Sequence, residues 1–475
     1  MGKSYNAVVV GSGPNGLAAA IVLAKAGHST LVLEAKETFG GGCRTAELTL
    51  PGFHHDVCSA IHPMAVASPF FSKLNLQRHG LEWAWPEVSV AHPLADGRAA
   101  ALFKSLEQTC DDLGQDGHAW ERMFRPLLEH TDDLLDETLR PIRGTRHPLL
   151  MLKFGAQALR SCESLALRFS GEEARALFAG CAAHSFLPMN ATASGSFGLM
   201  LALTGHAVGW PCVKGGSQKL IDALVAKLRE AGGELQANVE VQSLRAVPDA
   251  RAILFDLSPR QVSAIAGEQW PNSFHQQLNA FKAGPGVFKI DWALSGPIPW
   301  KNPVCARAGT VHVGGTLEQI AQSESAAWSG RSVENPFVLV AQQSLFDSTR
   351  APAGKQTGWA YCHAPNGCAV DMTERIETQI ETYAPGFRDL ILARHVIRPR
   401  DYGSHNANML GGDITGGANN LWQLIFRPTV RWNPYSTPNP RVFICSSSTP
   451  PGGGVHGMCG YWAAQTVLKR VFKQR

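Results

Sequence analysis

The sequence predicts an α/β protein in which a parallel-sheet domain, built from discontinuous segments of the chain, carries an inserted domain of mixed α+β structure. The length of 475 residues exceeds what a single hydrophobic core usually supports. A glycine-rich strand-to-helix turn lies near the start of the chain, and a second glycine-rich helix entrance lies near its end. A further helix–strand unit in residues 214–244 indicates that the chain leaves the first domain and returns to it.

The first predicted unit is a β-α-β element that ends at Glu34. Apolar β-branched runs and an alanine-rich stretch predict a strand, a helix and a second strand, at residues 7–10, 17–26 and 30–33. Gly27 follows the helix directly, as expected for a helix that ends at a glycine. This order is the one that a parallel sheet with a crossover helix requires.

The glycines between the first strand and the helix have GxGxxG spacing. Gly11 permits a tight turn, Gly13 lets the backbone approach a pyrophosphate, and Gly16 lets the helix and strand pack closely. The helix N-terminus offers free N–H groups to phosphates. Glu34 is placed to accept hydrogen bonds from a ribose diol. The unit therefore predicts a Rossmann-type dinucleotide site, and the glutamate suits FAD or NAD rather than NADP.

Composition excludes several classes of protein. The chain has 43 Lys and Arg against 39 Asp and Glu, and a net charge of +4 is too small to indicate a nucleic-acid surface. No apolar run is long enough for a spanning helix, and the first strand leaves no room for a signal peptide. The 11 cysteines show no CxxC pair or zinc spacing, which predicts reduced thiols, no metal site and a cytoplasmic protein. A peripheral contact with a membrane stays open.

Two insertions are predicted to form a substrate domain. Residues 53–211 turn helical, and the apolar spacing from Trp120 to Leu139 predicts one long amphipathic helix. The later insertion combines strand patterns at 287–294 and 336–342 with a helical pattern at 373–383. Together the insertions would cover the dinucleotide with an apolar cavity.

The chain is accordingly divided into five predicted segments. The dinucleotide-binding domain takes the first, third and fifth segments, and the substrate domain takes the second, described as helical, and the fourth, described as mixed sheet and helices. In the third segment, a helix with one apolar face is followed by a predicted strand from Leu235 to Val241. The segments are, in chain order, 1–75, 76–205, 206–268, 269–409 and 410–475.

Five motifs occur in an order that resembles one flavoprotein superfamily. They are GSGPNGL, the glutamate at position 34, GGGCRT at 40–45, GGSQKLIDAL with VEVQSL, and STPPGGGVHGMCGYWAA. This order is similar to that of the superfamily of phytoene desaturases and amine oxidases. Over its whole length the chain looks most like the phytoene-dehydrogenase-like branch, which includes pyridine nucleotide-disulfide oxidoreductase domain-containing proteins. Cys43, before Arg44, departs from the usual carotenoid-desaturase form of the second loop.

The resemblance implies that the dinucleotide is FAD, held between the two glycine-rich helix entrances. Its adenosine would lie at the N-terminal motif and its ring at the C-terminal loop, in front of a helix dipole. The cofactor-binding residues that the resemblance implies are Gly11, Gly13, Pro14, Asn15, Gly16, Glu34, Ala35, Gly42, Arg44, Val241, Gly454, Val455, His456, Gly457 and Met458.

The implied activity is hydride transfer to the flavin from an apolar small molecule, by desaturation, saturation or isomerisation of an isoprenoid or polyene. The electron acceptor stays unidentified. His456 is the catalytic candidate, with capping of its own loop as the alternative. His184, Tyr461 and the run His54–Asp56 are further candidates for which packing roles are also expected. The glycine-rich loop 411–417 either lies along a substrate or binds nothing.

Three other functions stay open. An amine or amino-acid oxidase would need an aromatic pair beside the flavin, for which Trp422, Trp432 and Trp462 are candidates. A protein that binds FAD without turnover would have a cavity filled by side chains. A nicotinamide-dependent dehydrogenase would use the same N-terminal turn for NAD.

Overall fold

The computed structural model describes residues 3–142, 144–268 and 270–474. Within these ranges the strands form two large sheets and two small two-stranded sheets. The strands are β1 (Tyr5–Val10), β2 (Thr30–Leu33), β3 (Thr45–Glu47), β4 (His54–Asp56), β5 (Trp83–Ala84), β6 (Val88–Pro93), β7 (Ala99–Phe103), β8 (Cys212–Val213), β9 (Glu234–Gln236), β10 (Ala250–Phe255), β11 (Gly286–Leu294), β12 (Ala308–Val313), β13 (Val338–Ala341), β14 (Gln356–Ala364), β15 (Ile391–Ile397) and β16 (Val442–Ile444).

The α-helices alternate with these strands in the dinucleotide-binding domain and gather in the first insertion. They are α1 (Pro14–Lys25), α2 (Pro63–Val66), α3 (Leu106–Asp112), α4 (Gly117–Leu128), α5 (Thr131–Thr138), α6 (Pro148–Ala158), α7 (Cys162–Ala166), α8 (Glu172–Ala183), α9 (Ser194–Ala207), α10 (Gln218–Glu230), α11 (Pro259–Ala266), α12 (Asn272–Ala280), α13 (Leu317–Trp328), α14 (Thr373–Tyr383), α15 (Tyr402–His405), α16 (Leu421–Ile425) and α17 (Met458–Arg470).

The first large sheet is parallel and has the strand order β16-β10-β1-β2-β9. Its strands come from the head, middle and tail of the chain, which confirms the predicted Rossmann-type domain built from discontinuous segments. The apolar residues of these strands are buried because helices cover both faces of the sheet. Helices α1, α10 and α17 pack on one face, and α11 and α12 on the other.

The second large sheet is mixed and has the order β15-β11-β14-β13-β12-β6-β7. The pair β12–β6 is parallel and the other pairs are antiparallel. Strands β6 and β7 belong to segment 76–205 together with helices α3 to α8, so that segment is not purely helical as predicted. Both strands are mostly buried on both faces and lack the alternation that separates strands from helices in a sequence.

Two element predictions need correction. The single helix predicted from Trp120 to Leu139 is two helices, α4 and α5, which bury their apolar sides together and so preserve one spacing pattern across the break. The strand predicted from Leu235 to Val241 ends at Gln236, because Asn238 takes a left-handed conformation with φ of 59°. The segment boundaries stay a prediction, and residue 269, where the fourth segment begins, lies outside the described residues.

Helices α1 and α17 bring the two ends of the chain together. A Cβ at Gly460 of α17 would lie 1.8 Å from the Asn15 carbonyl oxygen of α1, so this glycine permits the close packing of the two helices. The helices begin after Gly13 and Gly457. Both N-termini therefore open at the carboxyl edge of the parallel sheet, where such folds bind ligands. In the part of the chain that the structure describes, no helix is both long and apolar enough to cross a bilayer.

Candidate functional site

A cavity of about 1160 Å³ lies at this edge. The dinucleotide-binding domain lines it with residues 10–15, 239–242, 450–451 and 453–456. The insertions line it with aromatic side chains from α6, the loop after α8, α9 and β14. The volume exceeds the roughly 300–1,000 Å³ of a pocket for one drug-sized ligand. The cavity can therefore hold a long cofactor and a second molecule beside it.

The N-terminal glycine turn has the shape that its spacing predicts. Gly11 has φ of +101°, and a Cβ at Gly16 would lie 2.1 Å from the Gly11 carbonyl oxygen. A Cβ at Gly13 would lie 2.6 Å from Oδ2 of Asp256. Gly11, Gly13, Pro14 and Asn15 line the cavity, whereas Gly16 lies beneath the turn and packs it.

Glu34 lies beside the turn and lines the cavity together with Ala35 and Val241. Its Oε2 accepts hydrogen bonds from the backbone N–H of Ser12 at 3.0 Å and from the Ser12 hydroxyl at 2.5 Å. Its Oε1 accepts from the N–H of Lys36 at 3.0 Å. These contacts fix the carboxylate at the end of β2, where it can also accept from a ribose.

Asp256 was not identified from the sequence. It follows β10, is 7% exposed, and accepts the backbone N–H of Gly16 at 3.0 Å. Burial raises the pKa of this carboxyl to about 8; the charge of Glu34 acts in the same direction, and the Gly16 N–H opposes it. A polar residue directly after a buried parallel strand was the available signal, because such positions lie at the ligand edge of the sheet.

Arg44 and Gly42 also line the cavity. The Arg44 guanidinium donates from Nε to the Gly41 carbonyl at 2.9 Å and from Nη2 to the His405 carbonyl at 2.5 Å. Arg44 therefore ties its own loop to the segment after β15 and places a fixed positive charge on the cavity wall.

The C-terminal loop lines the cavity with Gly454, Val455 and His456. Gly457 and Met458 are not among its lining residues; Gly457, with φ of 69°, precedes α17, and Met458 is its first residue. His456 is 1% exposed and its Nδ1 accepts the Met458 N–H at 3.0 Å. Burial lowers the pKa of His456 to about 4, so its ring is neutral at pH 7. This geometry supports the capping role of His456 rather than an acid–base role.

Arg427 is a second residue that the sequence did not identify. It lines the cavity and is 1% exposed, and its Nη2 donates to the Gly416 carbonyl at 3.1 Å. Within the described ranges, its Nε and Nη1 have no hydrogen-bond partner. A Cβ at Gly452 would lie 2.4 Å from Nη1, so the guanidinium lies directly behind the C-terminal loop. A buried cation with free donors fits an electron-rich ligand at this loop.

These features fit FAD. The glycine turn gives a pyrophosphate access to backbone N–H groups, Glu34 fits a ribose, and Arg427 fits the electron-rich end of the cofactor. The two glycine-rich loops line one continuous cavity, as an extended dinucleotide requires.

The other end of the cavity is mostly apolar and aromatic. Its lining includes Phe154, Phe186, Phe197, Met200, Leu201, Trp210, Leu339, Trp359 and Tyr361. His184 adds a polar group there, and its Nε2 lies 3.1 Å from Nε2 of the buried His312. Burial lowers the pKa of His184 to about 3, so this imidazole is neutral at pH 7.

The remaining candidates from the sequence have mixed outcomes. His54 lies at the surface, and His55 Nε2 lies 2.8 Å from the Thr49 hydroxyl. Asp56 forms a buried ion pair with Arg350, which indicates a packing role. Tyr461 packs against Phe70 and is not a lining residue. Four residues of the loop 411–417, Asp413 to Gly416, do line the cavity.

The tryptophans suggested as a flavin-flanking pair lie elsewhere. Trp422 and Trp432 are 64% and 89% exposed, and Trp462 donates to the Leu139 carbonyl. One aromatic pair that lines the cavity is Trp359 with Tyr361 on β14, whose rings are 5.2 Å apart and perpendicular. Lys289 Nζ lies 5.8 Å from the Trp359 ring and pairs with Asp291 in the core.

Comparisons with known proteins agree with this geometry. Residues 9–74 match the NAD(P)-binding Rossmann-like domain family. The chain is 26% identical to pyridine nucleotide-disulfide oxidoreductase domain-containing protein 2 of Rattus norvegicus, over 98% of this chain and 93% of that protein. It is 29% identical to one of the limonene dehydrogenase subunits of Castellaniella defragrans, over 29% of this chain and 25% of that protein. Among solved structures, a putrescine oxidase variant has a TM-score of 0.64 and 18% identity, covering 98% of this chain and 99% of that one.

The fold and the site define a flavin-dependent oxidoreductase. This chain resembles the superfamily of FAD-dependent amine oxidases and pyridine nucleotide-disulfide oxidoreductase domain proteins, as the sequence predicted, and is 26% identical to one such protein over nearly its whole length. Its cofactor is accordingly FAD, and the residues above are the ones that would hold it. The phytoene-dehydrogenase-like branch is not distinguished from its neighbours by these matches.

Proposed function

We propose that this protein oxidises an uncharged, apolar small molecule of the isoprenoid or polyene class, with hydride transfer to the flavin. The observation that carries the proposal is the composition of the substrate end of the cavity, where aromatic and aliphatic side chains predominate and His184 is neutral. Such a lining binds hydrocarbon surface and offers a polar substrate little compensation for its lost hydration.

The acidic side chains on the substrate side of the cavity are already engaged. Glu137 lies 3.5 Å from Nη1 of Arg140 and accepts the Arg146 N–H at 2.6 Å. Asp413 accepts the N–H groups of Gly284 at 2.7 Å and Gly417 at 3.0 Å. An ammonium substrate would therefore find no unengaged carboxylate among these described residues, which favours an uncharged substrate.

The side chains and backbone of the protein bind the cofactor, orient the substrate and exclude water from the cavity. When bound, FAD supplies a two-electron acceptor for the oxidation. The N-terminal turn and Glu34 would hold the nucleotide part, and the C-terminal loop with Arg427 would hold the ring. The aromatic walls exclude water from the substrate, and His184 offers one uncharged nitrogen to orient a polar group on it.

Two further facts support this proposal. One relative is named for limonene, a monoterpene, although the match covers 29% of this chain. The cavity is open rather than filled by side chains, as turnover requires and as a purely structural FAD-binding role does not.

Amine oxidation is the second candidate. The perpendicular pair Trp359 and Tyr361 lines the cavity, as the amine-oxidase alternative requires of an aromatic pair. A putrescine oxidase variant also shares the fold. The two candidates differ in the charge that the substrate carries, so one set of substrates separates them.

The test is anaerobic bleaching of the holoprotein's visible flavin spectrum. Limonene, longer isoprenoids and polyenes in mild detergent should bleach the flavin, whereas putrescine and cyclohexylamine should not. Met200→Trp should fill the substrate end and slow bleaching at least about tenfold with FAD retained. Leu392→Trp is the matched control, because Leu392 is 47% exposed away from the lining residues. Bleaching by amines alone would overturn the proposal in favour of the second candidate.

A further inference from the structure

One helix beside the cavity has apolar side chains on both its inner and its outer face. On the inner face of α6, Met151 and Phe154 line the cavity. On the outer face, Leu149 and Leu152 are 74% and 71% exposed. A helix with apolar side chains on two opposite faces is normally buried in a core or in a membrane, but α6 lies at the protein surface.

The outer apolar residues form a stripe. Leu149, Leu152, Ala156 and Leu159 follow one another at spacings of three, four and three residues, which places them on one helical face. All four are exposed, Leu159 to 55%. Leu167, shortly after the helix, is 73% exposed. We call these residues the α6 stripe. An exposed apolar surface of this kind marks an interaction site on a soluble domain.

The charge around the stripe is basic. Residues 140–168 contain six Lys and Arg residues and one Glu, and Lys153 and Arg160 lie within or at the end of α6, both exposed. Asp133, on the preceding helix, lies 3.4 Å from Nε2 of His147. Asp132 and Asp136 of that helix are negatively charged. The basic part of this surface therefore begins at Arg140, after α5. Leucines flanked by basic side chains fit the interface of an anionic membrane.

The cavity opens next to the stripe. Ile142 lines the cavity and is also 70% exposed, so the cavity reaches the surface between α5 and α6. Met151 lines the same region from α6. An apolar molecule that dissolves in a bilayer could therefore pass from the membrane into the cavity without crossing water.

We propose that the α6 stripe and its basic flanks dock the protein on an anionic lipid bilayer, with the mouth of the cavity facing the membrane. The docking itself follows from the surface; its use for substrate entry rests on the proposed function. A second copy of the chain is the competing occupant of the stripe, and the experiment distinguishes the two.

The experiment is co-sedimentation of the holoprotein with vesicles, without substrate. The protein should bind vesicles of phosphatidylcholine with a third phosphatidylserine more tightly than vesicles of phosphatidylcholine alone, and added salt should weaken the binding. L149D/L152D should reduce binding at least about tenfold, because two leucines lose contact with the acyl region and two charges enter it. K153Q/R160Q should reduce binding to the anionic vesicles by about fivefold for each charge removed.

The matched control is V370D/L392D, which changes two exposed apolar residues far along the chain, 44% and 47% exposed, and should bind as the wild type does.

Absence of vesicle binding by the wild type, or equal binding by L149D/L152D, would overturn the proposal. A dimer in light scattering that L149D/L152D dissociates, with no vesicle binding, would assign the stripe to a second copy. Flavin bleaching by detergent-dissolved substrate should be unchanged in L149D/L152D. Bleaching therefore tests the proposed function, and vesicle binding tests the membrane docking, independently of each other.

Discussion

The two ends of the cavity are built in different ways. At the cofactor end, the wall is largely backbone, and glycines at 11, 13 and 454 keep side chains out of the space. At the substrate end, the wall is made mostly of large side chains from the two insertions, such as Phe197 and Trp359. The first wall recognises groups that every dinucleotide shares, and the second recognises the shape of one substrate class.

This difference predicts how each end responds to substitution. A backbone cradle has no side chain to rearrange, so an added Cβ must displace either the ligand or the turn. A side-chain wall can repack around a change of volume at modest cost. Substitutions at the cofactor end should therefore abolish a common property, FAD binding, whereas those at the substrate end should change selectivity.

Gly13→Val should have the largest effect. Its Cβ would lie 2.6 Å from Asp256 Oδ2, and its methyl groups would occupy the space that the diphosphate needs. We expect the Kd for FAD to rise at least about 100-fold. The measurement is the ratio of flavin to protein absorbance after dialysis.

The control for this variant is Gly155→Ala, because a Cβ at Gly155 meets open space. It should retain FAD as the wild type does. A yellow Gly13→Val protein with full occupancy would show that the diphosphate does not lie at this turn.

His456→Ala should have an intermediate effect, on stability. The variant removes the buried ring that accepts the Met458 N–H at 3.0 Å and leaves that donor unpaired. We expect a loss of about 2 kcal/mol in the free energy of unfolding, measured by denaturant titration. The bleaching rate of the folded holoprotein should stay within about threefold of the wild type, because the neutral ring transfers no proton.

His54→Ala is the surface control and should change stability by less than about 0.5 kcal/mol. If His456→Ala instead kept its stability and lost bleaching by about 100-fold, His456 would be catalytic and the cofactor end would not be a backbone wall alone.

The same contrast explains what the sequence could predict. The cofactor end depends on local motifs: the turn from Gly11 to Gly16, Glu34 at a strand end, and the loop that contains His456. Each motif works through the backbone conformation of a few consecutive residues, so its spacing is visible in the sequence. Strands β1 and β2 next to the turn were predicted for the same reason, whereas β10 and β16 of the same sheet were not predicted.

The substrate end could not be predicted in this way. His184 and His312 are 128 residues apart and meet only because α8 packs over the mixed sheet. Strands β6 and β7 had no periodicity that distinguished them from helices. No local sequence pattern points to Arg427. It is a candidate because two of its buried nitrogens have no hydrogen-bond partner among the described residues, and this is visible only in the structure. Lys289 and Asp291 did carry a signal, as two charges on the same face of an apolar strand.

Asp256 gives the smallest predicted effect on FAD binding, and this effect depends on pH. Its pKa is about 8 in the folded protein against an ordinary value of 3.8, so the folded state binds more protons than the unfolded state between these values. The stability of the apoprotein should therefore fall as the pH rises through this window and level off above it. Because the ionised carboxylate would lie beside Gly13 and Gly16, it would also oppose the diphosphate, as Glu34 opposes the ionisation of Asp256 itself.

We expect the FAD affinity to fall by about tenfold or less between roughly pH 6 and pH 9.5. Asp256→Asn should remove this dependence, because the amide can still accept the Gly16 N–H and carries no charge at any pH. Glu34→Gln is the companion variant: by removing the neighbouring charge it should lower the pH at which affinity begins to fall. A pH profile that Asp256→Asn leaves unchanged would mean that another group titrates at the turn, and that side chains contribute more to the cofactor end than its backbone geometry indicates.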